Sequence, residues 1–227
     1  MNDVKPLHKF WWLWLPLAAY VIQIILELVY PGRTLDHLMG EDGPHELVQF
    51  IVLSCAFIVT TLTLIGMPRH YLKSPMILWL GTAWLATLYV AGEEISWAQH
   101  FLEWNTPEYW SSVNDQGETN LHNTTSWLDQ KPRLLLEIGV LVGGVIMPLL
   151  YKFKPQALPQ RFAVIYPPAY LSVIAWLALV TKISEKLGNA IFDEPFFYRT
   201  SEVIELHLYA FVLFYLIHLK RRLFAQK

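Results

Sequence analysis

Residues 46–67 read ELVQFIVLSCAFIVTTLTLIGM, an apolar stretch with no charged side chain after Glu46. A bilayer core about 30 Å thick is crossed by roughly 20 apolar residues in a helix, so this length predicts a transmembrane segment. Backbone groups in hydrocarbon must be hydrogen-bonded within the segment, which favours a helix over an isolated strand.

Five further stretches of similar length lie on either side of it. The six predicted spans are Phe10 to Tyr30, Glu46 to Met67, Pro75 to Ile95, Leu134 to Tyr151, Phe162 to Ile183, and Glu202 to Leu219. They predict an all-α fold, a polytopic transmembrane bundle of six helices that forms a single integral membrane domain over residues 1–227. We expect the first span to be retained, because no small-residue cleavage site follows its apolar run.

The composition agrees with a membrane protein. Hydrophobic residues make up 54% of the chain and charged residues 16%, against about a quarter charged in soluble domains. The formal net charge of -2 argues against a nucleic-acid partner. Cys55 is the single cysteine, so an intramolecular disulfide is excluded.

The basic residues between the spans predict the orientation. Bases are denser at both termini and in two of the connections: Lys5, Lys9, Arg69, Lys73, Lys152, Lys154, Arg161, Lys220, Arg221, Arg222 and Lys227. The positive-inside rule places these segments, and so both termini, in the cytoplasm. Nearly all carboxylates then fall at the outer face.

Small residues and prolines predict local features within the spans. Gly139 and Gly143 form a Gly-x-x-x-Gly pair with Gly144 beside it, a pattern that lets another backbone approach closely. Pro16, Pro148 and the pair at residues 167–168 are expected to kink or unwind their helices.

Two adjacent carboxylates, Glu93 and Glu94, close the third predicted span. A carboxylate at the bilayer centre costs roughly 2.5–3.5 kcal/mol on insertion scales, so such groups are usually paired or face a wet cavity. Successive helix positions differ by about 100°, so one carboxylate can face the bundle while the other turns aside.

A long outer connection, residues 102–131, follows these carboxylates and contains the polar run NDQGETNLHN at residues 114–123. Connections of this length are functional lids or are disordered. The aromatic residues Trp104, Tyr109, Trp110 and Trp127 favour a lid that packs on the membrane surface.

Polar residues from separate elements are expected to meet at one depth beneath this lid. We assign metal ligation to Glu46, Glu94, His122 and Glu205, catalysis to Glu93 and Glu118, and substrate binding to Gln99, His100, Asn120, Asn123 and Tyr209. Carboxylates with imidazole suit a divalent metal such as zinc, and also iron or manganese. The same groups without a metal could perform general acid–base chemistry.

Part of this region resembles a known pattern. The stretch Gly92-Glu93-Glu94-Ile95-Ser96-Trp97, followed by Gln99, by Thr106-Pro107-Glu108 and by Glu118-Thr119-Asn120-Leu121-His122-Asn123, resembles a family of uncharacterised bacterial polytopic membrane proteins. The resemblance covers about residues 92–123. It implies the location of the site and a bacterial inner-membrane setting, and it implies no activity.

A second similarity is architectural, to the alkaline ceramidase and related receptor superfamily of membrane hydrolases, which hold zinc near one bilayer face. That family has seven spans and a paired histidine motif in its last helix. Here six spans are predicted, and no histidine follows four residues after His207.

Three functions remain open from the sequence. The first is a membrane-embedded enzyme, with or without a metal, such as a hydrolase, which acts on a membrane lipid or lipid-linked substrate. The second is a non-catalytic subunit that docks a partner protein. The third is a proton-coupled transporter in which Glu27, Glu137 and Glu205 line the pathway. Self-association and a membrane-protein partner are both compatible with the sequence.

Overall fold

The computed structural model describes residues 4–30, 32–40, 43–71, 74–102, 104–114, 124 and 126–225, and describes residues 33, 100, 101 and 126–130 by their backbone alone. Within these ranges the secondary structure is all helical and contains no strand. The predicted all-α fold is confirmed at this level.

The described residues form ten α-helices. They are α1 (Leu15–Val29), α2 (Asp36–Met39), α3 (Pro44–Gly66), α4 (Pro75–Glu93), α5 (Gln99–Leu102), α6 (Glu108–Val113), α7 (Ser126–Leu141), α8 (Met147–Phe153), α9 (Ser172–Phe192) and α10 (Thr200–Phe224).

Five stretches of the described residues are long and apolar enough to cross a membrane. They are Phe10–Val29, Asp36–Gly66, Pro75–Glu93, Lys131–Phe153 and Thr200–Phe224. These stretches correspond to five of the six predicted spans, and they confirm several apolar helices of the kind found in multi-pass membrane proteins.

The remaining predicted span, Phe162 to Ile183, has different boundaries in the structure. Residues 160–165 form a 3-10 helix, Pro168 is extended with φ -71° and ψ 142°, and α9 begins only at Ser172. Two successive prolines lack N–H donors, and each disfavours the α conformation in the residue before it. The helix therefore starts later than predicted and continues past Ile183, through the charged residues Glu185 and Lys186, to Phe192.

Pro16 and Pro148, the other prolines expected to disturb their helices, lie next to π-helical turns. Residues 10–14 form a π turn before Pro16, and residues 142–146 form another before Pro148. A proline cannot donate to the carbonyl four residues earlier, and a π turn relieves this mismatch by widening the helix locally. The expected disruption thus takes the form of one wider turn in each helix.

α10 lies at the centre of the bundle. In α10, 67% of the residues in the membrane-crossing window are buried, compared with at most 28% in the windows of the other four stretches. α10 packs mainly on α3 and α9. A helix that is apolar around its whole circumference has no solvent face and becomes a core helix. The surrounding helices instead direct large apolar side chains outward, among them Leu28, Ile65, Leu78 and Leu135, as expected where lipid is the solvent.

The bundle has two chemically different ends. The acidic end is where α3 and α10 begin and α4 ends, with Glu46, Glu94, Glu202 and Glu205. The basic end is where α8 and α10 end, with Lys152, Lys154 and residues 220–222. Helices of bilayer-crossing length separate these two charge populations.

The three glycines of the fourth predicted span have different surroundings. A Cβ atom at Gly144 would overlap the Cβ of Ala175 on α9 and would lie 2.8 Å from the Phe211 ring on α10. A Cβ at Gly143 would lie 3.0 Å from Pro167, and a Cβ at Gly139 would have no neighbour within 4 Å. Close helix packing therefore depends on Gly144, while Gly139 faces open space.

This difference predicts a matched pair of stability effects. Gly144→Ala should lower the free energy of unfolding by about 1–3 kcal/mol, because the added methyl group overpacks the contact with α9 and α10. Gly139→Ala should leave stability nearly unchanged. Thermal unfolding of the full-length protein in detergent measures both, and equal effects of the two substitutions would contradict the assigned packing.

Candidate functional site

The centre of the acidic end is a hydrogen bond between two helices. Tyr209 lies on α10, is 5% exposed, and donates its hydroxyl hydrogen to Glu94 Oε1 at 2.9 Å. Glu94 is the residue at which α4 ends. This bond joins the central helix to the end of α4 and fixes the position of the Glu94 carboxyl.

A strained turn follows Glu94 and redirects the chain. Ser96, Trp97 and Ala98 have φ values of 44°, 56° and 72°, in the left-handed region. That region costs a residue with a side chain roughly 1–2 kcal/mol. Such strain persists only where the surrounding structure enforces it, and it is concentrated at functional sites.

The same turn accounts for the separation of the two adjacent carboxylates. Trp97 folds back over α4, where its ring would lie 2.9 Å from a Cβ at Gly92, and its Nε1 donates to Glu93 Oε1 at 2.7 Å. Glu93 is therefore directed toward the turn, whereas Glu94 is directed toward α10. The absence of a side chain at Gly92 leaves room for the indole.

Glu94 lies among other acidic residues. Burial raises the pKa of the Glu94 carboxyl well above its usual range, and the negative charges of Glu205, Glu202 and Glu46 raise it further, against the hydrogen bond from Tyr209. Like charges at close range disfavour one another's ionised forms. Glu94, one residue beyond the apolar span of α4, is thus suited to carry a proton.

Glu205 is held by a base from another helix. Arg133 on α7 donates from Nη1 to Glu205 Oε1 at 3.2 Å, and its Nε lies 3.7 Å from Glu137 Oε1. Lys182 on α9 lies 3.7 Å from the same Glu137 oxygen and 3.4 Å from Glu185 Oε2. This ionic network connects α7, α9 and α10 at the acidic end.

A cavity of about 210 Å³ opens beside this network. Glu137 and Lys182 line it, and the rest of its wall is mainly aliphatic, from α7, α9 and α10. The cavity thus combines an apolar interior with charged groups on its wall, a combination that matches the two chemically different parts of a lipid.

α3 contributes a further polar contact. Gln49 is fully buried and donates from Nε2 to the Glu202 carbonyl and carboxylate, both at 3.2 Å. His207, 3% exposed, contacts the Val203 carbonyl through Nδ1 at 2.7 Å. His45 Nδ1 and Gln49 Oε1 are buried and have no hydrogen-bond partner among the described residues. Buried polar atoms of this kind are usually satisfied by water or a ligand.

Most of the residues assigned from sequence fall into two groups, to which Glu93 and Gln99 do not belong. Glu46, Glu94, Glu205 and Tyr209 are brought together at the acidic end. Glu118, Asn120, His122 and Asn123 lie outside the described residues, as does the side chain of His100. Their roles stay predictions.

Gln99 is described, and its contacts are within its own connection. Its Nε2 donates to Thr106 Oγ1 at 2.6 Å and to the Trp104 carbonyl at 3.5 Å. These bonds close the chain between α5 and α6, so Gln99 organises the start of the predicted lid. Its expected contact with substrate stays a prediction.

The metal assignment depends on a residue that is not described. Among the residues that are, no three His, Cys, Asp or Glu side chains form a group that could hold a metal ion. His122, the predicted imidazole ligand, lies outside this set.

Comparisons of the chain with protein-family models, curated proteins and solved structures found no match. The chemistry of the site is therefore argued from its own geometry.

Two participants in the site are not among the residues assigned from the sequence. Arg133 lies four residues before Glu137, which is the helical spacing of an ion pair, and this spacing is a signal that could have found it. The bond between Glu202 and Gln49 depends on how α3 packs on α10, which the sequence does not show.

The ionic network predicts an energetic coupling between helices. Arg133→Gln and Glu205→Gln should each destabilise the protein, because each removes one charge of an ion pair that is partly shielded from water. The double variant should be less destabilised than the sum of the two, with a coupling of about 0.5–3 kcal/mol.

Unfolding of the full-length protein in detergent measures this double-mutant cycle. Lys131→Gln, an exposed base on the same helix, is the control and should not couple to Glu205→Gln. Additive effects of the Arg133 and Glu205 substitutions would refute the interaction.

Proposed function

We propose that the protein is a membrane-embedded enzyme that acts on a lipid or lipid-linked substrate at the acidic end of the bundle. The observation that carries this proposal is the hydrogen bond from Tyr209 to Glu94 among the neighbouring carboxylates. A proton held on a positioned carboxyl is what general acid catalysis needs.

Hydrolysis is the reaction class that these groups suit best. A protonated Glu94 gives its proton to the leaving oxygen of the substrate while water forms the new bond to the acyl or phosphoryl centre. The proton that this water releases then returns to the Glu94 carboxylate. Tyr209 positions Glu94 throughout, and the ion pair with Arg133 keeps Glu205 in place.

The shape and depth of the neighbouring cavity support a lipid as the substrate. Its aliphatic wall accommodates hydrocarbon, and Glu137 and Lys182 supply polar contacts beside it. The unpartnered polar atoms of His45 and Gln49 add hydrogen-bonding capacity for water or for a polar headgroup.

The proposal includes a membrane topology with six crossings. α9 is the sixth crossing, since the contacts of Lys182 with Glu137 and Glu185 offset the charge in its second half. Residues 102–131 form a lid over the site. Both termini are cytoplasmic by the positive-inside rule, which directs the acidic end outward in a bacterial inner membrane.

A divalent metal such as zinc is a separate element of the proposal. In this alternative Glu94 would be ionised, Glu46, Glu94 and Glu205 would supply carboxylate ligands and His122 an imidazole, and the metal would polarise the substrate and the attacking water. The described carboxylates do not form a metal-holding group by themselves, so this alternative depends on His122. The acid–base role of Glu94 does not require the metal.

A non-catalytic membrane subunit is the second candidate. The observation that favours it is that Arg133 and Lys182 join carboxylates across three helices, which is also how polar residues stabilise a transmembrane bundle. In that case the carboxylates hold the bundle together and a partner protein performs the chemistry.

Glu94→Gln separates the two candidates. The amide has the shape and the neutral charge of the protonated carboxyl, and its oxygen can still accept the bond from Tyr209, so the variant should be about as stable as wild type. If Glu94 is the proton donor, the variant should lose activity almost completely.

The assay compares the membrane lipids of cells that produce matched amounts of each protein, using lipid mass spectrometry. Wild type and the exposed-carboxylate control Glu108→Gln should change the same lipid species, and Glu94→Gln should not. Identical lipid profiles for wild type and a folded Glu94→Gln variant would eliminate the enzyme proposal and leave the subunit.

A further inference from the structure

The basic end of the bundle contains a buried guanidinium at a fixed position. Arg222 on α10 is 3% exposed, and its Nη1 donates to the carbonyls of Val164 and Tyr166 at 2.9 Å and of Ala163 at 3.3 Å. These bonds attach the 3-10 helix of residues 160–165 to the central helix.

His218 holds the other branch of the same guanidinium. Nη2 of Arg222 lies 3.1 Å from His218 Nε2, and His218 Nδ1 lies 3.1 Å from the Tyr170 hydroxyl. Because arginine can only donate, Nε2 is the acceptor, and His218 is the neutral tautomer with its hydrogen on Nδ1. The positive charge therefore stays on Arg222.

Arg222 forms part of the wall of a cavity of about 570 Å³. Polar groups from Tyr151, Gln160 and Tyr166 also line it, and prolines on either side of the 3-10 helix complete the wall. Arg222 is the charged residue among those that line the cavity. The cavity therefore favours an anion.

The charges around this cavity have the same sign. Basic side chains lie on the helices and the connection at this end, namely Lys152, Lys154, Arg161, Lys220 and Arg221. The carboxylates of the described helices lie toward the opposite end. Basic pockets between transmembrane helices bind anionic lipid headgroups by this kind of field.

An apolar groove continues from the cavity into the membrane region. The groove has a volume of about 490 Å³, lies between α4 and α7, and has residues of α10 as its floor. Met147, Tyr166 and Pro167 line both the groove and the cavity. Gly139, which faces open space, lines the groove as well.

We propose that the cavity and the groove together form a binding site for one anionic phospholipid, with its phosphate beside Arg222 and an acyl chain between α4 and α7. Because the cavity beside Arg222 is continuous with an apolar groove, the site fits an amphiphile better than a free anion. This site lies at the opposite end from Glu94 and does not depend on the proposed enzyme activity.

Two substitutions test the two halves of the site without removing Arg222, which supports the fold. Gln160→Glu places a carboxylate in the cavity wall, where it repels a phosphate and competes for Arg222. Gly139→Leu adds a side chain to the groove at a position where its Cβ has no neighbour within 4 Å.

Each substitution has a matched control. Gln156→Glu adds the same charge to an exposed position on the same connection, outside the cavity lining. Gly81→Leu adds the same side chain at another glycine with open space around it, outside the groove lining.

The experiment incubates each full-length protein in detergent with equal amounts of phosphatidylglycerol and phosphatidylcholine that have identical acyl chains. Native mass spectrometry after repurification measures the bound lipid. Wild type and both controls should retain phosphatidylglycerol in preference to phosphatidylcholine. Gln160→Glu and Gly139→Leu should each lower that retention by about tenfold.

Three outcomes would overturn the proposal. The first is equal binding of the two lipids by wild type. The second is retention of as much phosphatidylglycerol by each test variant as by its control. The third is displacement of phosphatidylglycerol by inorganic phosphate at the same concentration in a parallel incubation, which would show an anion site that does not use the acyl chain.

Discussion

A polar group inside a bilayer must find its partner within the protein, because lipid chains offer none. α10 carries three polar groups of this kind, Glu205 and Tyr209 near one end and Arg222 near the other. Each of these side chains bonds to a different part of the bundle: α7, α4 and the 160–166 segment. The central position of α10 follows from this as much as from its apolar surface.

The strained turn after α4 also provides a hydrogen-bond partner for a polar side chain. Successive helix positions differ by about 100°, so Glu93 and Glu94 point in different directions. The left-handed residues 96–98 bring Trp97 back to bond Glu93, and Glu94 is left to Tyr209. Two hydrogen bonds to carboxylates offset the backbone strain, and they give adjacent, chemically identical side chains different surroundings.

The sequence predicted the features that depend on composition along the chain and missed those that depend on packing between helices. The lengths of the apolar stretches located five spans. Pro167 and Pro168 were recognised as an interruption of the span predicted from Phe162 to Ile183, but the sequence did not show that α9 begins only after them. No periodicity in the sequence distinguishes Gly144, which packs against two helices, from Gly139, which packs against none. Arg133 was likewise unassigned, because its partner Glu205 is distant in sequence.

The groove between α4 and α7 connects the two ends of the molecule physically. Leu136 lines it and lies one helical turn from Arg133, whose guanidinium holds Glu205 in the acidic cluster. An acyl chain in this groove would support the face of α7 that presents Arg133, so the lipid at the basic end would stabilise the geometry at the acidic end.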